Sequence, residues 1–169
     1  MLDIGGGSTE LVLGSGATPD VAHSMDIGSV RMTERHLRSD PPSADEVAAC
    51  DVVCGCTSST EPVVPTAAVR PGTHVNLVGS YSTARREVDD DLVAAATVFV
   101  DEREAAAEEA GELIHAAAGD WSFDRIAGDL AELATGQVGR TADDEITLFK
   151  SVGLAVEDVV VAAAVVARS

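Results

Sequence analysis

The residues best suited to chemistry lie in a glycine turn near the N-terminus, Asp3-Ile4-Gly5-Gly6-Gly7-Ser8-Thr9-Glu10. Consecutive glycines let the backbone adopt positive φ and approach an anion without interference from Cβ atoms. Backbone N–H groups and the hydroxyls of the turn can then converge on phosphate oxygens. Two flanking carboxylates could hold Mg²⁺ or orient a water molecule. The pattern predicts phosphate binding by Gly5, Gly6, Gly7, Ser8 and Thr9, with Asp3 and Glu10 as catalytic or metal-holding residues; a plain glycine-rich hairpin is the alternative.

A second set of polar residues follows apolar runs that are typical of buried strands. Thr57-Ser58 follow the run 51–56, and Gly79-Ser80 follow the run 74–78. Lys150-Ser151 precede Gly153, which would let a helix bend toward the same crevice. In open α/β sheets, ligands bind beyond the carboxyl ends of the strands. We therefore expect these six residues to contact a cofactor, with ordinary turn chemistry and a solvated lysine as the alternatives.

The elements that would position these residues alternate between short apolar runs and alanine-rich helical stretches. A hairpin is predicted over 2–13, a strand over 25–30, and a helix beginning at Ser43, which stands at capping-box spacing from Glu46. Parallel strands are predicted over 51–56, 74–78 and 97–100. Helices are predicted over 31–38, 92–96, 102–118, 123–134 and 143–168, the last interrupted at Gly153. This order predicts an α/β fold in which helices cover a parallel sheet. The hairpin either extends the edge of that sheet, which we favour because it would cover the exposed edge, or lies beside the sheet.

The composition excludes some classes of partner. Aromatic residues make up only 3% of the chain, so the core should consist of Ala, Val, Leu and Ile. A net charge of -18 argues against nucleic-acid binding, which requires clustered Lys and Arg. Cys50, Cys54 and Cys56 lack the spacing of a zinc site and are expected to be buried in a reducing compartment. The longest apolar run, 159–167, is too short to span a bilayer, and the start of the chain has no secretory pattern, so we expect a cytoplasmic protein.

Residues 1–48 resemble the phosphate-binding hairpin region of the exopolyphosphatase/guanosine-pentaphosphate phosphohydrolase family. The glycine turn carries the resemblance, which continues through 24–31 and 41–46. It implies a fragment of an actin-like fold, with Asp3 and Glu10 at a metal and catalytic site, Mg²⁺ as the metal, and polyphosphate as the substrate. The partner hairpin and main catalytic glutamate of that family have no counterpart in the chain.

Residues 49–169 resemble the C-terminal half of the ornithine cyclodeaminase/μ-crystallin family. The motifs are Asp51-Val52-Val53-Cys54-Gly55-Cys56-Thr57-Ser58-Ser59-Thr60-Glu61-Pro62, the stretch 70–81, and Asp144-Glu145-Ile146-Thr147-Leu148-Phe149-Lys150-Ser151-Val152-Gly153-Leu154-Ala155-Val156-Glu157-Asp158. The resemblance implies a partial Rossmann-like domain with C-terminal helices. It also implies NAD or NADP as cofactor and an amino or imino acid as substrate.

The chain departs from this family pattern in three ways. It has no counterpart of the glycine-rich dinucleotide fingerprint, none of the substrate domain, and Ala84 where many members have a catalytic candidate, Asp. The leading hypothesis is thus an incomplete enzyme of the ornithine cyclodeaminase type, weak or inactive. The alternatives are a phosphohydrolase fragment and a non-catalytic fusion remnant. A sheet that lacks its first strands would also leave an exposed edge, which predicts self-association or a homo-oligomer.

Overall fold

The computed structural model describes residues 2–4, 9–13, 21–25, 39, 43–155, 159, 163 and 166. The chain forms two compact units. The first comprises Met1–Ser43 with Ala155–Ser169, and the second comprises Ala44–Leu154.

The first unit contains an antiparallel three-stranded sheet of β1 (Leu2–Ile4), β2 (Thr9–Leu13) and β3 (Val21–Met25). The predicted hairpin over 2–13 is confirmed, and its register places Asp3 opposite Glu10. A third strand occupies 21–25. Of the strand predicted over 25–30, only Met25 is among the described residues. Residues 5–8, 26–30 and 31–38 lie outside the described residues, and with them the glycines and Ser8 of the predicted phosphate site.

The second unit alternates strands and short helices. Its elements are α1 (Ala44–Ala48), β4 (Val52–Gly55), β5 (His74–Leu77), α2 (Asp90–Ala95), β6 (Thr97–Val100), α3 (Arg103–Glu109), α4 (Gly111–Ala117), β7 (Ile126–Asp129), α5 (Leu130–Ala134) and β8 (Thr147–Lys150). Single 3-10 turns lie at Thr66–Ala68 and Phe123–Arg125. Among the described residues 155, 159, 163 and 166, all four are helical.

The five strands of this unit form one parallel sheet in the order β4-β5-β8-β6-β7. The last strand in the chain, β8, lies between β5 and β6, so residues far apart in sequence become neighbours. The β1–β3 strands pair only with one another in the described sheets, so the expected extension of the parallel sheet by the hairpin is wrong.

Two stretches that were predicted as continuous helix each contain a strand, although both also contain helical residues, at 130–134 in the first and at 155, 159, 163 and 166 in the second. The stretch 123–134 contains β7, and the stretch 143–168 contains β8. Each strand is four residues long, and its pairing with β6 decides its conformation over the local helix propensity. Gly128 of β7 lacks a Cβ, which would lie 2.4 Å from Cγ2 of Val138, so the close packing of the strand depends on glycine.

The single helix predicted over 102–118 is two helices. Ala110 adopts extended backbone between α3 and α4, and its N–H caps α3 by donating to the carbonyl of Ala106. Gly111 then packs against the 82–85 loop, where a Cβ would lie 1.9 Å from the carbonyl oxygen of Arg85. The break is therefore a tertiary packing requirement.

The core lies on one face of the parallel sheet. Strand residues Val75, Leu77, Val98, Val100 and Leu148 pack in one cluster with α2, α3 and α4 residues that include Leu92, Val93, Ala106 and Leu113. The expectation that the cysteines are buried is wrong. Cys54 and Cys56 are exposed and Cys50 is half-buried, because β4 is an edge strand and leaves side chains uncovered.

Candidate functional site

The carboxyl ends of the parallel strands place several of the predicted contact residues at one edge of the sheet. β4 leads into Thr57 and Ser58, β5 into Gly79, and β8 into Ser151. Thr57 and Ser58 are exposed, whereas Gly79 and Ser151 are half-buried. The parallel register brings the ends of β5 and β8 side by side, with Leu77 paired to Lys150. The two loops after β4 and β5 are thus available to a ligand at this edge.

A buried carboxylate joins these two loops from beneath. Glu87 has 0% exposure. One of its oxygens accepts the N–H of Thr57 at 2.5 Å and the other accepts the N–H of Gly79 at 3.0 Å. Charge-assisted bonds of this kind are the usual way in which a protein tolerates a buried carboxylate.

A second buried carboxylate supports the first. Glu112 in α4 accepts the backbone N–H of Glu87 at 3.0 Å and a hydrogen bond from the hydroxyl of Ser80. Nζ of Lys150 lies 3.9 Å from an oxygen of Glu112 and 3.5 Å from the carbonyl oxygen of Leu77. We call Glu87, Glu112, Lys150 and Ser80 the buried polar network.

Lys150 supplies the positive charge in this network. Burial lowers the pKa of its ammonium group below 10.5, against the opposing influence of the carboxylates of Glu112, Glu87 and Asp101. The two glutamates of the network and one lysine leave an excess of negative charge beneath the loops when all are ionised.

A third carboxylate shapes the turn after β8. Asp101, which is 4% exposed at the end of β6, accepts hydrogen bonds from the hydroxyl of Ser151 and the N–H groups of Val152 and Gly153 at 2.8–2.9 Å. Gly153 has φ of +87°, a conformation that favours glycine. Asp101 thereby fixes the path of the chain beyond Ser151.

Four of the six predicted cofactor residues are at least partly accessible, and two are not. Ser80 and Lys150 are both 0% exposed. Lys150 was expected on a helix but ends β8. Glu112 lies within the helix predicted over 102–118, and its 1% exposed side chain packs in the buried polar network. Sequence reasoning missed Glu87, Glu112 and Asp101 as site residues; the only signal was that Glu112 stands between Gly111 and the apolar Leu113.

A separate cavity of about 460 Å³ borders side chains of β5, β6, β8 and α5. It is lined by His74, Phe99, Leu130, Leu133, Arg140, Thr147 and Phe149. His74 is half-buried, and its Nδ1 lies 2.8 Å from the hydroxyl of Thr147. This cavity is mostly apolar and does not include the loops at the carboxyl ends of the strands.

Neither a metal-binding cluster nor a membrane-spanning helix occurs among the described residues. No cluster of three or more His, Cys, Asp and Glu side chains there is arranged to hold a metal ion. None of the helices described is long and apolar enough to cross a membrane.

This architecture matches that of a known protein family. The model of the ornithine cyclodeaminase/mu-crystallin family matches residues 26–169. The chain belongs to the ornithine cyclodeaminase/mu-crystallin family. Its parallel sheet with helices is the Rossmann-like α/β fold that was predicted.

Similar sequences carry related names. A Delta(1)-pyrroline-2-carboxylate reductase of Paracoccus denitrificans is 42% identical over 73% of this chain and 39% of its own length. The ketimine reductase mu-crystallin of Rattus norvegicus is 37% identical over 70% of this chain and 36% of its own length. The chain therefore spans about two-fifths of the length of these family members.

Solved structures of the family share the fold. The Thermococcus litoralis Delta(1)-pyrroline-2-carboxylate reductase in complex with NADH and L-proline superposes with a TM-score of 0.69 at 36% identity, covering 72% of this chain and 38% of that one. The iminosuccinate reductase of Paracoccus denitrificans in complex with NAD+ gives a TM-score of 0.67 at 34% identity, covering 73% and 38%.

The expected exopolyphosphatase region finds no support in these comparisons. The match to the ornithine cyclodeaminase/mu-crystallin family begins at residue 26, inside the segment 1–48 that had been assigned to the other family. The comparisons thus show membership of one family over residues 26–169 and give no support for a chimera of two.

Proposed function

We propose that the chain forms the cofactor-crevice part of an NAD(P)-dependent enzyme that reduces an imino acid or oxidises the corresponding amino acid. One observation carries the proposal: the exposed loops after β4 and β5 meet at the carboxyl edge of a parallel sheet, where Glu87 holds them together. Family members are named as reductases of pyrroline-2-carboxylate and ketimines and as an alanine dehydrogenase. The reactions that these names describe all interconvert a C=N bond and an amine.

The accessible residues at the carboxyl edge of the sheet could contact a bound dinucleotide. We assign Thr57, Ser58, Gly79 and Ser151 to contacts with the cofactor because their hydroxyl and backbone groups lie at the carboxyl edge. The absence of a Cβ at Gly79 suits this role, since that loop approaches the backbone of Thr57 closely. When bound, the nicotinamide donates or accepts the hydride. NAD is the first choice over NADP, because the similar structures carry NAD+ or NADH.

Ser80 and Lys150 are assigned a supporting role. Both side chains are fully buried in the described structure, and both engage Glu112 rather than the open edge of the sheet. They would act by stabilising the loops that carry the contact residues.

Ala84 limits the chemistry that these loops can perform. It is exposed in the loop that follows β5, and a methyl group cannot transfer a proton. A proton for the substrate nitrogen would therefore come from another group. We accordingly assign cofactor binding, rather than proton transfer, to the 44–154 unit. Cytoplasmic location and self-association stay predictions.

Binding of NADH tests the proposal directly. We expect a saturable rise in NADH fluorescence on titration with the purified chain. Thr57→Val should raise the Kd by about tenfold, the equivalent of one hydrogen bond. Thr141→Val is the matched control, since Thr141 is also an exposed loop threonine and lies near Glu145 instead. No fluorescence change at millimolar NADH would reject the proposal.

A further inference from the structure

We propose that Glu87 is a positioning residue that sets the spacing of the two crevice loops by holding the backbone N–H groups of Thr57 and Gly79. Its importance for the cofactor rests on the function proposed above. The clamp itself is a property of the protein without ligand, and it can be tested separately.

The geometry of the carboxylate shows why a glutamate suits this place. Each of its two oxygens accepts one N–H, one from the loop after β4 and one from the loop after β5. A single planar group thus spans two loops that carry exposed Thr57 and half-buried Gly79. An apolar side chain of the same size would leave two N–H groups without this acceptor, and orphaned buried donors are costly.

Two glycines make room for this carboxylate. A Cβ on Gly55, the last residue of β4, would lie 2.9 Å from one oxygen of Glu87. A Cβ on Gly79 would lie 2.5 Å from the other oxygen and only 2.1 Å from the carbonyl oxygen of Thr57. Neither glycine has positive φ in this structure, so what each position requires is space rather than an unusual backbone conformation. The close approach of the loops and the position of Glu87 therefore depend on one another.

The remainder of the buried polar network holds Glu87 in place. Glu112 binds the backbone N–H of Glu87, and Lys150 lies 3.9 Å from the same Glu112 carboxylate. Ser80, which directly follows Gly79, also donates to Glu112. The loop after β5 is consequently tied to both glutamates, and the loop after β4 to Glu87. This arrangement gives the fully buried Ser80 and Lys150 a function behind the crevice.

Amide hydrogen exchange measured by NMR on the full wild-type chain without ligand tests the clamp. The amide of Thr57 should exchange at least about tenfold more slowly than that of its exposed neighbour Ser58, because a hydrogen-bonded amide must open before it exchanges. The amide of Gly79 should be protected in the same way. Exchange of Thr57 and Ser58 at equal rates would overturn the proposal without any variant.

Variants then test whether the clamp matters for the cofactor. Glu87→Gln keeps the shape but turns one acceptor into a donor, so the Thr57 or Gly79 amide should exchange about tenfold faster and the NADH Kd should rise about tenfold. Glu61→Gln removes the same charge from an exposed position in the neighbouring loop and should change neither quantity. Gly55→Ala, which leaves Glu87 intact and is not an assigned cofactor contact, should reproduce both effects, because the added methyl group would displace the carboxylate of Glu87.

The outcomes separate the two proposals. Faster exchange in Glu87→Gln with unchanged NADH affinity would overturn the positioning role. Slow exchange of Thr57 and Gly79 in a wild-type chain that does not bind NADH would support the clamp and reject the proposed function. If Glu87→Gln does not fold by circular dichroism, the wild-type exchange rates and Gly55→Ala still decide.

Discussion

His74 shows how neighbouring groups shift the pKa of one side chain. The hydroxyl of Thr147 accepts a hydrogen bond from Nη2 of Arg140 at 3.1 Å and lies 2.8 Å from Nδ1 of His74. The hydroxyl can then donate its own hydrogen to Nδ1, which requires a neutral imidazole with its proton on Nε2. Burial, and secondly the positive charge of Arg140, lower the pKa of His74 below 6.5.

This environment predicts a stability change in mildly acidic solution. The unfolded chain takes up a proton at His74 near pH 6.5, whereas the folded chain does so only at lower pH. The free energy of unfolding should therefore fall as pH drops from 7 through 6.5 toward the folded pKa. In His74→Gln this part of the loss should be absent, as measured by urea unfolding at pH 7.5 and about pH 5.5. If the wild-type protein and His74→Gln lose stability equally as the pH falls, His74 has the same pKa in the folded and unfolded states.

At the scale of elements, the caps of the short helices do more than satisfy helix ends. Asp89 caps α2 by accepting the N–H of Leu92 at 2.9 Å. The same carboxylate accepts the N–H of Thr66 at 3.0 Å and a bond from its hydroxyl, which anchors the 3-10 turn at 66–68. Burial alone would raise the pKa of Asp89, but the hydrogen bonds from Thr66 and Leu92 and the charge of Arg86 together lower it.

We expect Asp89→Ala to destabilise the protein by about 2 kcal/mol, at the upper end of the range for caps. Asp129→Ala is the comparison, because Asp129 also caps a helix, α5, in a capping box with Glu132. Asp129→Ala should lower the free energy of unfolding by about 1 kcal/mol. The free energies of unfolding come from urea denaturation, and equal losses for the two variants would argue that the contacts to Thr66 contribute nothing.

At the scale of the whole molecule, the exposed edge of the parallel sheet stands out. β4 is an edge strand with Val52 55% exposed and Cys54 also exposed. The strand has no proline or charged residue of the kind that protects natural edges. The net charge of -18 opposes association through mutual repulsion.

The exposed edge of β4 favours self-association, whereas the negative net charge of the chain opposes it. Self-association should therefore increase with salt, because salt screens the repulsion. Val52→Lys should reduce the apparent molecular mass in light scattering at high protein concentration. Ala107→Lys, at an exposed position of α3, changes the net charge equally and should leave the mass near the wild-type value. A wild-type chain that stays monomeric at high salt would show that the edge is not adhesive.

The local sequence pattern was sufficient to predict some strands but not others. The strands near 52–55, 74–77 and 97–100 were predicted because each is a short apolar run, and the hairpin over 2–13 because a glycine turn separates two such runs. β7 and β8 were predicted as helix. Their four residues adopt strand conformation because they pair with β6, and β8 also pairs with β5, which precedes it by 73 residues at His74 and Thr147.

The sequence by itself indicated the ornithine cyclodeaminase/mu-crystallin family and the loops that carry Thr57, Ser58 and Gly79, because a family motif and an apolar run that ends in polar residues are both local patterns. It also suggested a second family, which the comparisons do not support. Only the tertiary structure decided that Glu87 and Glu112 are buried while Cys54 and Cys56 are exposed. Burial depends on which elements meet across the fold: α4 brings Glu112 beneath the loop after β5, and the edge position of β4 leaves its cysteines uncovered. The polar residues beyond the strand ends could be predicted, but the network that holds them in place could not.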